Sequence, residues 1–196
     1  MKTDVLVISN EAGSRSLEAV LQQVDAVAAY KELAPKSAVY LRLLAEETMA
    51  LVRAITGEVK GEFWIEDKDG AFELHLKAEA FTDMKKREQL LSASTTGKNE
   101  ATRGFMGRIR SFFQPTPDVP TFNSGFAGGA PQMTGNYTWS MVDYRAQLEA
   151  YRAQNNQAAR EEWDELEKSV VAHVADDVKV SILGKTVEMT IVKKMA

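Results

Sequence analysis

A predicted β-hairpin in the first half of the chain is the feature that most restricts its fold. Two runs in which apolar and polar residues alternate, 62–66 and 71–77, are joined by Asp67-Lys68-Asp69-Gly70. Asp-Gly tolerates the positive φ angles of a tight turn, so the pattern predicts two antiparallel strands. Phe72, Leu74 and Leu76 would share one face. His75 falls on the opposite, polar face, where we expect an exposed cross-strand partner rather than a catalytic base.

The rest of the sequence predicts an α+β fold around this hairpin. A second hairpin is predicted at 178–192, and the β-branched run 5–8 predicts a strand buried on both faces. Helical spacing of apolar residues predicts a helix after Ser14, one from about Ser37 to Ile55, two between 84 and 113, and a long one from about 142 to 175. This order favours a two-layer sandwich, a mostly antiparallel mixed sheet covered on one face by helices.

The length of 196 residues is typical of a single domain, which we assign to 1–196. One stretch within it, 114–140, departs from the pattern of the rest. It holds four of the five prolines and four of the 12 glycines, and Asp118 is its only charged residue. Such a composition predicts a mobile loop or insertion.

Composition excludes several kinds of chemistry. The chain has no cysteine, which excludes disulfides, thiolate catalysis and iron–sulfur clusters, and its two histidines exclude a three-histidine metal centre. We therefore predict no metal site beyond a nucleotide's own magnesium. The net charge of −4 argues against a nucleic-acid partner. No apolar run approaches membrane-spanning length and the start does not resemble a signal peptide, so a cytoplasmic protein without membrane contact is expected.

The second predicted helix carries two adjacent glutamates, in the segment Leu44-Ala45-Glu46-Glu47-Thr48-Met49-Ala50. Together with the order of the elements, this segment resembles the histidine-kinase-like ATPase superfamily, particularly its anti-sigma-factor-type serine kinases. In that family a Glu serves as general base, and an Asn four residues later holds magnesium. The resemblance implies that Glu46 is the base. Ala50 stands at the Asn position, so the usual magnesium ligand is missing.

Other segments resemble further parts of that family's nucleotide site. Where the family has Asp-x-Gly-x-Gly to recognise adenine, this chain has Asp83 without the glycines. Two segments, 96–99 and 103–107, resemble the family's lid and its Gly-rich turn near the phosphates. The last hairpin resembles its closing strands. The resemblance implies that ATP is held by Glu47, Asp83, Thr96, Gly97, Lys98, Asn99, Arg103, Gly104 and Gly107.

Local charge supports an anionic ligand independently of the resemblance. The segment 82–113 carries a net charge of +4 and contains Gly97 and Gly104, whose backbone N–H groups could cradle a phosphate at a helix start. A solvated basic helix is the alternative. For Glu46 the alternative is an ion pair with Arg42 or Arg53 on a solvated helix face.

Two functions remain open from the sequence. The first is an ATP-binding regulatory protein which, if active, phosphorylates a protein partner with Glu46 as base. The second is a non-catalytic member of the same fold that acts as a protein-interaction module. The segment 141–177, with a net charge of −5, would then be a surface for a basic partner, or would contact the basic stretch of the same chain. A homo-oligomer is compatible with both, and an unrelated α+β domain is a third interpretation.

Overall fold

A computed structural model of the protein describes residues 1–54, 59–79, 105, 109, 137–183 and 186–195. Within these residues the strands and helices, in chain order, are β1 (Leu6–Ser9), α1 (Ser14–Tyr30), α2 (Pro35–Ala54), β2 (Lys60–Lys68), β3 (Ala71–Glu79), β4 (Tyr137–Ser140), α3 (Met141–Ala153), α4 (Gln157–Lys168), α5 (Val170–Val174), β5 (Asp177–Leu183) and β6 (Thr186–Lys194).

The predicted central hairpin forms as the sequence indicates. Strands β2 and β3 are joined by Asp69 and Gly70, both at positive φ (54° and 85°), as a type I′ turn requires. The Asp67 carboxylate accepts a hydrogen bond of 2.9 Å from the Gly70 N–H and closes the turn. This turn fixes the register, which places Trp64 opposite His75 and Glu66 opposite Glu73.

The two hairpins join in one six-stranded sheet in the order β1-β2-β3-β6-β5-β4. Every pair of neighbouring strands among the described residues is antiparallel. The α+β class is thereby confirmed. The pairing of β3 with β6 joins the hairpins, so the centre of the sheet combines segments from the two halves of the chain.

The core lies on one face of the sheet. Phe63, Ile65 and Leu74 point to that face and are fully buried in the same cluster as α1 residues such as Val24 and α2 residues such as Leu44. Helices α3, α4 and α5 also contribute to the cluster, as do the side chains of Phe105 and Ile109. The helices therefore cover the apolar face, as predicted for a two-layer sandwich.

Two predictions about the elements are wrong. Strand β1 is an edge strand of the sheet, so Ile8 is buried at 1% exposure whereas Val7 on the opposite face is 80% exposed. The long helix predicted at 142–175 is three helices, because the Asn156 side chain caps α4 and the Ser169 side chain caps α5. Capping side chains satisfy the free N–H groups of a new helix start and so make a break favourable.

The predicted loop at 114–140 needs a correction at its end. Tyr137–Ser140 forms β4, the edge strand opposite β1, which pairs with β5. Ser140 then caps α3 by accepting hydrogen bonds from the N–H groups of Val142 and Asp143. The remainder of that stretch, and most of the helices predicted between 84 and 113, lie outside the described residues.

Candidate functional sites

Helix α2 presents Glu46 on the side away from the core. Leu44, Ala45, Thr48 and Met49 are fully buried, and the Thr48 hydroxyl donates a hydrogen bond of 2.8 Å to the Leu44 carbonyl. The Glu46 side chain is 44% exposed. The apolar stripe of the helix is confirmed, and the glutamate lies on its solvated side.

Glu46 belongs to an ion-pair network that joins α1 to α2. Arg42 Nε lies 3.3 Å from Glu46 Oε1, one helical turn away, and Arg42 Nη1 lies 2.6 Å from Asp25 Oδ2 on α1. The hydrogen bond that Arg42 donates to the Asp25 carboxylate raises the pKa of the guanidinium. Of the two interpretations of Glu46 made from the sequence, the ion pair with Arg42 is the one observed.

The other residues predicted to hold a nucleotide fall into two groups. Glu47 and Ala50 are half-buried on α2, and the methyl group of Ala50 offers no oxygen to a magnesium ion. The residues present therefore do not fit the family's magnesium site. The remaining predicted ligands lie outside the described residues: Asp83, Thr96, Gly97, Lys98, Asn99, Arg103, Gly104 and Gly107.

A cluster of aromatic and charged side chains, which we call the sheet-face cluster, lies on the sheet face opposite the helices. Its centre is a stack of Trp64 on β2 and His75 on β3, with ring centroids 4.7 Å apart and planes at 2°. His75 is only 7% exposed, which contradicts the prediction of an exposed strand residue. The reason is local crowding, since the indole covers one side of the imidazole and carboxylates from β3 and β6 approach its edges.

Both ring nitrogens of His75 face carboxylates. Nδ1 lies 3.0 Å from Glu188 Oε1 and 3.2 Å from Thr190 Oγ1, both on β6. Nε2 lies 3.3 Å from Glu73 Oε2, but it makes no hydrogen bond to any described residue. A carboxylate only accepts hydrogen bonds, so a neutral ring can donate to only one of the two; with its proton on Nδ1 it donates to Glu188, the nearer carboxylate. The lone pair of Nε2 then faces the carboxylate of Glu73.

The two glutamates of the central hairpin near His75, Glu66 and Glu73, are held by Trp64, Lys2 and Lys68. Glu66 Oε1 accepts a hydrogen bond of 3.0 Å from Trp64 Nε1 and lies 3.1 Å from Lys2 Nζ. Together the indole and the ammonium hold the pKa of Glu66 below its ordinary value. Lys68 Nζ lies 2.6 Å from Glu73 Oε2 and 3.7 Å from Glu66 Oε2, and the bond to Glu73 raises the pKa of this lysine. The cluster therefore places two carboxylates around the ammonium of one lysine.

A groove of about 590 Å³ lies toward the other end of β2 and β3. Its lining combines Lys60 and Lys77 with Glu62 and Glu79, and the Val7 side chain contributes an apolar wall. The two positive and two negative side chains balance, so the described lining of the groove has no excess of positive charge for a triphosphate.

The sequence is sufficient to predict part of the sheet-face cluster. A two-residue turn fixes the hairpin register, so the pairing of Trp64 with His75 and of Glu66 with Glu73 follows from the sequence once Asp69-Gly70 is placed as the turn. The contribution of Glu188 depends on the pairing of β3 with β6, for which the sequence carries no comparable signal.

A scan of protein-family models and a search of curated proteins found no match to this chain. The likeness to histidine-kinase-like ATPases stays a prediction from its element order and motif residues. Among the described helices, none combines the length and apolar character that a membrane span requires.

Proposed function

We propose that this chain is a non-catalytic regulatory module that binds a protein partner. The observation that carries the proposal is the Asp25–Arg42–Glu46 network. A general base has to be free to reach the proton that it removes. Glu46 instead pairs with Arg42, which also contacts Asp25 on α1, and Ala50 lacks the oxygen that would hold magnesium.

Helix α4 is the surface that we assign to the partner. It carries five acidic and two basic side chains, and Glu161, Asp164, Glu165 and Glu167 are exposed. Leu166 is buried on the opposite side of the helix and anchors it to the core. An acidic helix face held rigidly in this way fits a lysine- and arginine-rich segment of another protein.

The half-buried Trp163 adds an aromatic element to this surface. Its ring lies under the Arg152 guanidinium at 4.3 Å, and its Nε1 donates a hydrogen bond of 2.6 Å to Glu167 Oε1. Both contacts fix the indole at the edge of the acidic face. Arg152 shows that a guanidinium can stack on this ring, and a basic partner would use the same kind of contact.

The second candidate function is nucleotide binding, with protein serine kinase activity if the site is active. It is favoured by the net charge of +4 between 82 and 113, next to Gly97 and Gly104. In this alternative Glu46 is the base, ATP lies against the basic stretch, and the protein is a cytoplasmic regulator of the anti-sigma-factor type.

Calorimetric titration with ATP and ADP, each with and without magnesium, separates the two functions. The non-catalytic proposal expects no magnesium-dependent binding and no transfer of the γ-phosphate to the chain or to added protein. Glu46→Gln tests the assignment of the base, with Glu62→Gln as a matched control on β2. Magnesium-dependent ATP turnover that Glu46→Gln abolishes and Glu62→Gln preserves would overturn the proposal and establish the kinase alternative.

A further inference from the structure

We infer that His75, Glu73 and Glu66 form a binding site for a divalent transition-metal ion of the zinc type. The three side chains come from β2 and β3, on the sheet face opposite the helices, and one ligand atom from each lies within 4.8 Å of the others. This inference does not depend on the proposed protein-binding function, because the cluster and α4 share no residue.

The unpartnered nitrogen of His75 is the observation that points to a cation. Nε2 is buried and makes no hydrogen bond to a described residue, although Glu73 Oε2 lies only 3.3 Å away. Two acceptors that face each other at this distance repel unless a positive charge lies between them. Either a proton on Nε2 or a metal ion bound by both atoms removes that repulsion.

The distance between these two atoms fits tetrahedral coordination. Zinc binds histidine nitrogen and carboxylate oxygen at about 2.0–2.2 Å, so two ligands of a tetrahedral site lie roughly 3.4 Å apart. The observed separation of Nε2 and Oε2 is 3.3 Å. These two ligands are therefore already placed at the spacing that a bound zinc ion requires.

The opposite nitrogen of His75 has the contact expected of a metal-binding histidine. Such a histidine usually donates its other N–H to a carboxylate, which fixes the tautomer and the ring orientation. Nδ1 has this relationship to Glu188 Oε1 at 3.0 Å. The stack on Trp64 holds the plane of the ring from a second direction.

Glu66 is positioned to supply the third ligand. Trp64 Nε1 and Lys2 Nζ both contact its Oε1 atom, which leaves Oε2 facing Lys68 and the rest of the cluster. The Lys68 ammonium lies between the two carboxylates, where an incoming cation would take its place. One nitrogen and two oxygen ligands suit zinc or cobalt better than calcium or magnesium, which prefer oxygen alone.

Titration of the full chain with Zn²⁺ tests the site, using His75→Gln and its matched control His173→Gln. His173 is the only other histidine in the sequence and lies exposed on α5. We expect one Zn²⁺ per chain for the wild type and for His173→Gln, and loss of that binding in His75→Gln. Co²⁺ should give the visible absorption bands of tetrahedral coordination in the same two proteins. Equal zinc binding by His75→Gln, or no binding by the wild type, would overturn the inference.

Two further measurements keep the test decisive if His75→Gln folds poorly. Glu73→Gln alters a ligand while leaving the stack of Trp64 on His75 in place, and it should also lose Zn²⁺. Nitrogen chemical shifts of the His75 ring show what occupies the space beside Nε2. A shift of Nε2 on addition of zinc supports the site, whereas an Nε2 proton that persists at neutral pH in the presence of zinc contradicts it.

Discussion

The imidazole of His75 lies flat on the indole of Trp64, with planes only 2° from parallel and ring centroids 4.7 Å apart. This contact joins β2 to β3 on the polar face of the sheet, where both aromatic rings are almost completely buried. The indole also donates its N–H to Glu66, so one side chain orients two neighbours of the proposed metal site.

Replacing Trp64 with Phe separates these two roles, because Phe retains a ring for stacking but has no N–H. Loss of the hydrogen bond to Glu66 should lower the free energy of unfolding by about 1–2 kcal/mol at neutral pH. The hydrogen bond lowers the pKa of Glu66 in the folded state, so its stabilisation is present above the unfolded-state pKa and disappears as the pH falls through the folded-state pKa. Urea denaturation across the acidic range should show the two proteins converging at low pH.

Trp163→Phe is the control for this prediction, since it also removes an indole hydrogen bond to a glutamate, but one that is exposed to solvent although the indole is half-buried. It should change the free energy of unfolding by less than about 0.5 kcal/mol. A pH-independent loss in Trp64→Phe would mean that packing, rather than the contact with Glu66, causes the effect.

The ion pair of Lys31 with Asp67 gives a second pH-dependent prediction. Lys31 follows α1, and Asp67 lies at the end of β2, so the pair fastens this helix to the central hairpin. Lys31 is the main cause that lowers the pKa of the buried Asp67 carboxyl. Asp67→Asn should therefore cost about 1–3 kcal/mol at neutral pH, and the difference from the wild type should vanish as acid protonates Asp67.

Asp69→Asn provides the comparison for Asp67→Asn within the same turn. Asn accepts positive φ as readily as Asp, so this variant should be close to wild type in denaturant midpoint at every pH. Equal destabilisation of both variants would assign the effect to the turn instead of the ion pair.

The break between α3 and α4 should depend on the cap provided by Asn156. Its side chain accepts a hydrogen bond of 3.2 Å from the Ala159 N–H, and Ala cannot replace this contact. Asn156→Ala should lower the free energy of unfolding by about 1 kcal/mol, whereas Asn156→Ser should retain most of it. Thermal unfolding monitored by circular dichroism measures both, and an unchanged Asn156→Ala would show that packing of Leu166 and Ala159 alone sets the start of α4.

Lys68 should compete with metal at the sheet-face cluster, because its ammonium contacts both carboxylates. Lys68→Met removes that internal cation and should raise the affinity for Zn²⁺ by roughly tenfold. Lys77→Met is the matched control, since Lys77 on β3 shares the sheet face of Lys68 on β2 but contacts Glu62 instead of the cluster. Calorimetry should show unchanged affinity in the control, and weaker zinc binding by Lys68→Met would contradict the competition.

Charge reversal on α4 tests the partner surface. The double variant Glu161→Lys with Asp164→Lys should weaken binding of a fluorescent lysine-rich peptide about tenfold at low salt, and the effect should shrink as salt is added. Glu11→Lys with Glu18→Lys changes the net charge equally at exposed positions outside α4. Anisotropy titrations that weaken equally in both double variants would indicate a response to net charge rather than binding by α4.

The sequence predicts local features of this protein well and distant ones poorly. The hairpin register follows from Asp69-Gly70, and the apolar stripe of α2 follows from its helical spacing, because each depends on residues close together in the chain. The exposure of Val7 depends on β1 lying at the edge of the sheet, which its β-branched composition does not reveal. The burial of His75 likewise requires a strand from the other end of the chain.

The candidate sites show the same division. The sequence could place Glu46 on a helix face and name Arg42 as its partner, because the two lie one turn apart. It could not supply Asp25, which reaches Arg42 only after α1 packs on α2. The sequence does not reveal Glu66, Glu73 and His75 as a group, because their types and spacing match no familiar metal motif until the strands are paired.

The union of β3 with β6 at the centre of the sheet has a consequence for how the protein folds. His75 and Thr190 are direct neighbours although 115 residues separate them in the chain. Closing so long a loop is entropically costly. We therefore expect each hairpin to form early and the pairing of β3 with β6 to form in the rate-limiting step of folding. Amide hydrogens between β3 and β6 should accordingly exchange with solvent only through global unfolding, and their exchange rates would report the stability of the entire domain.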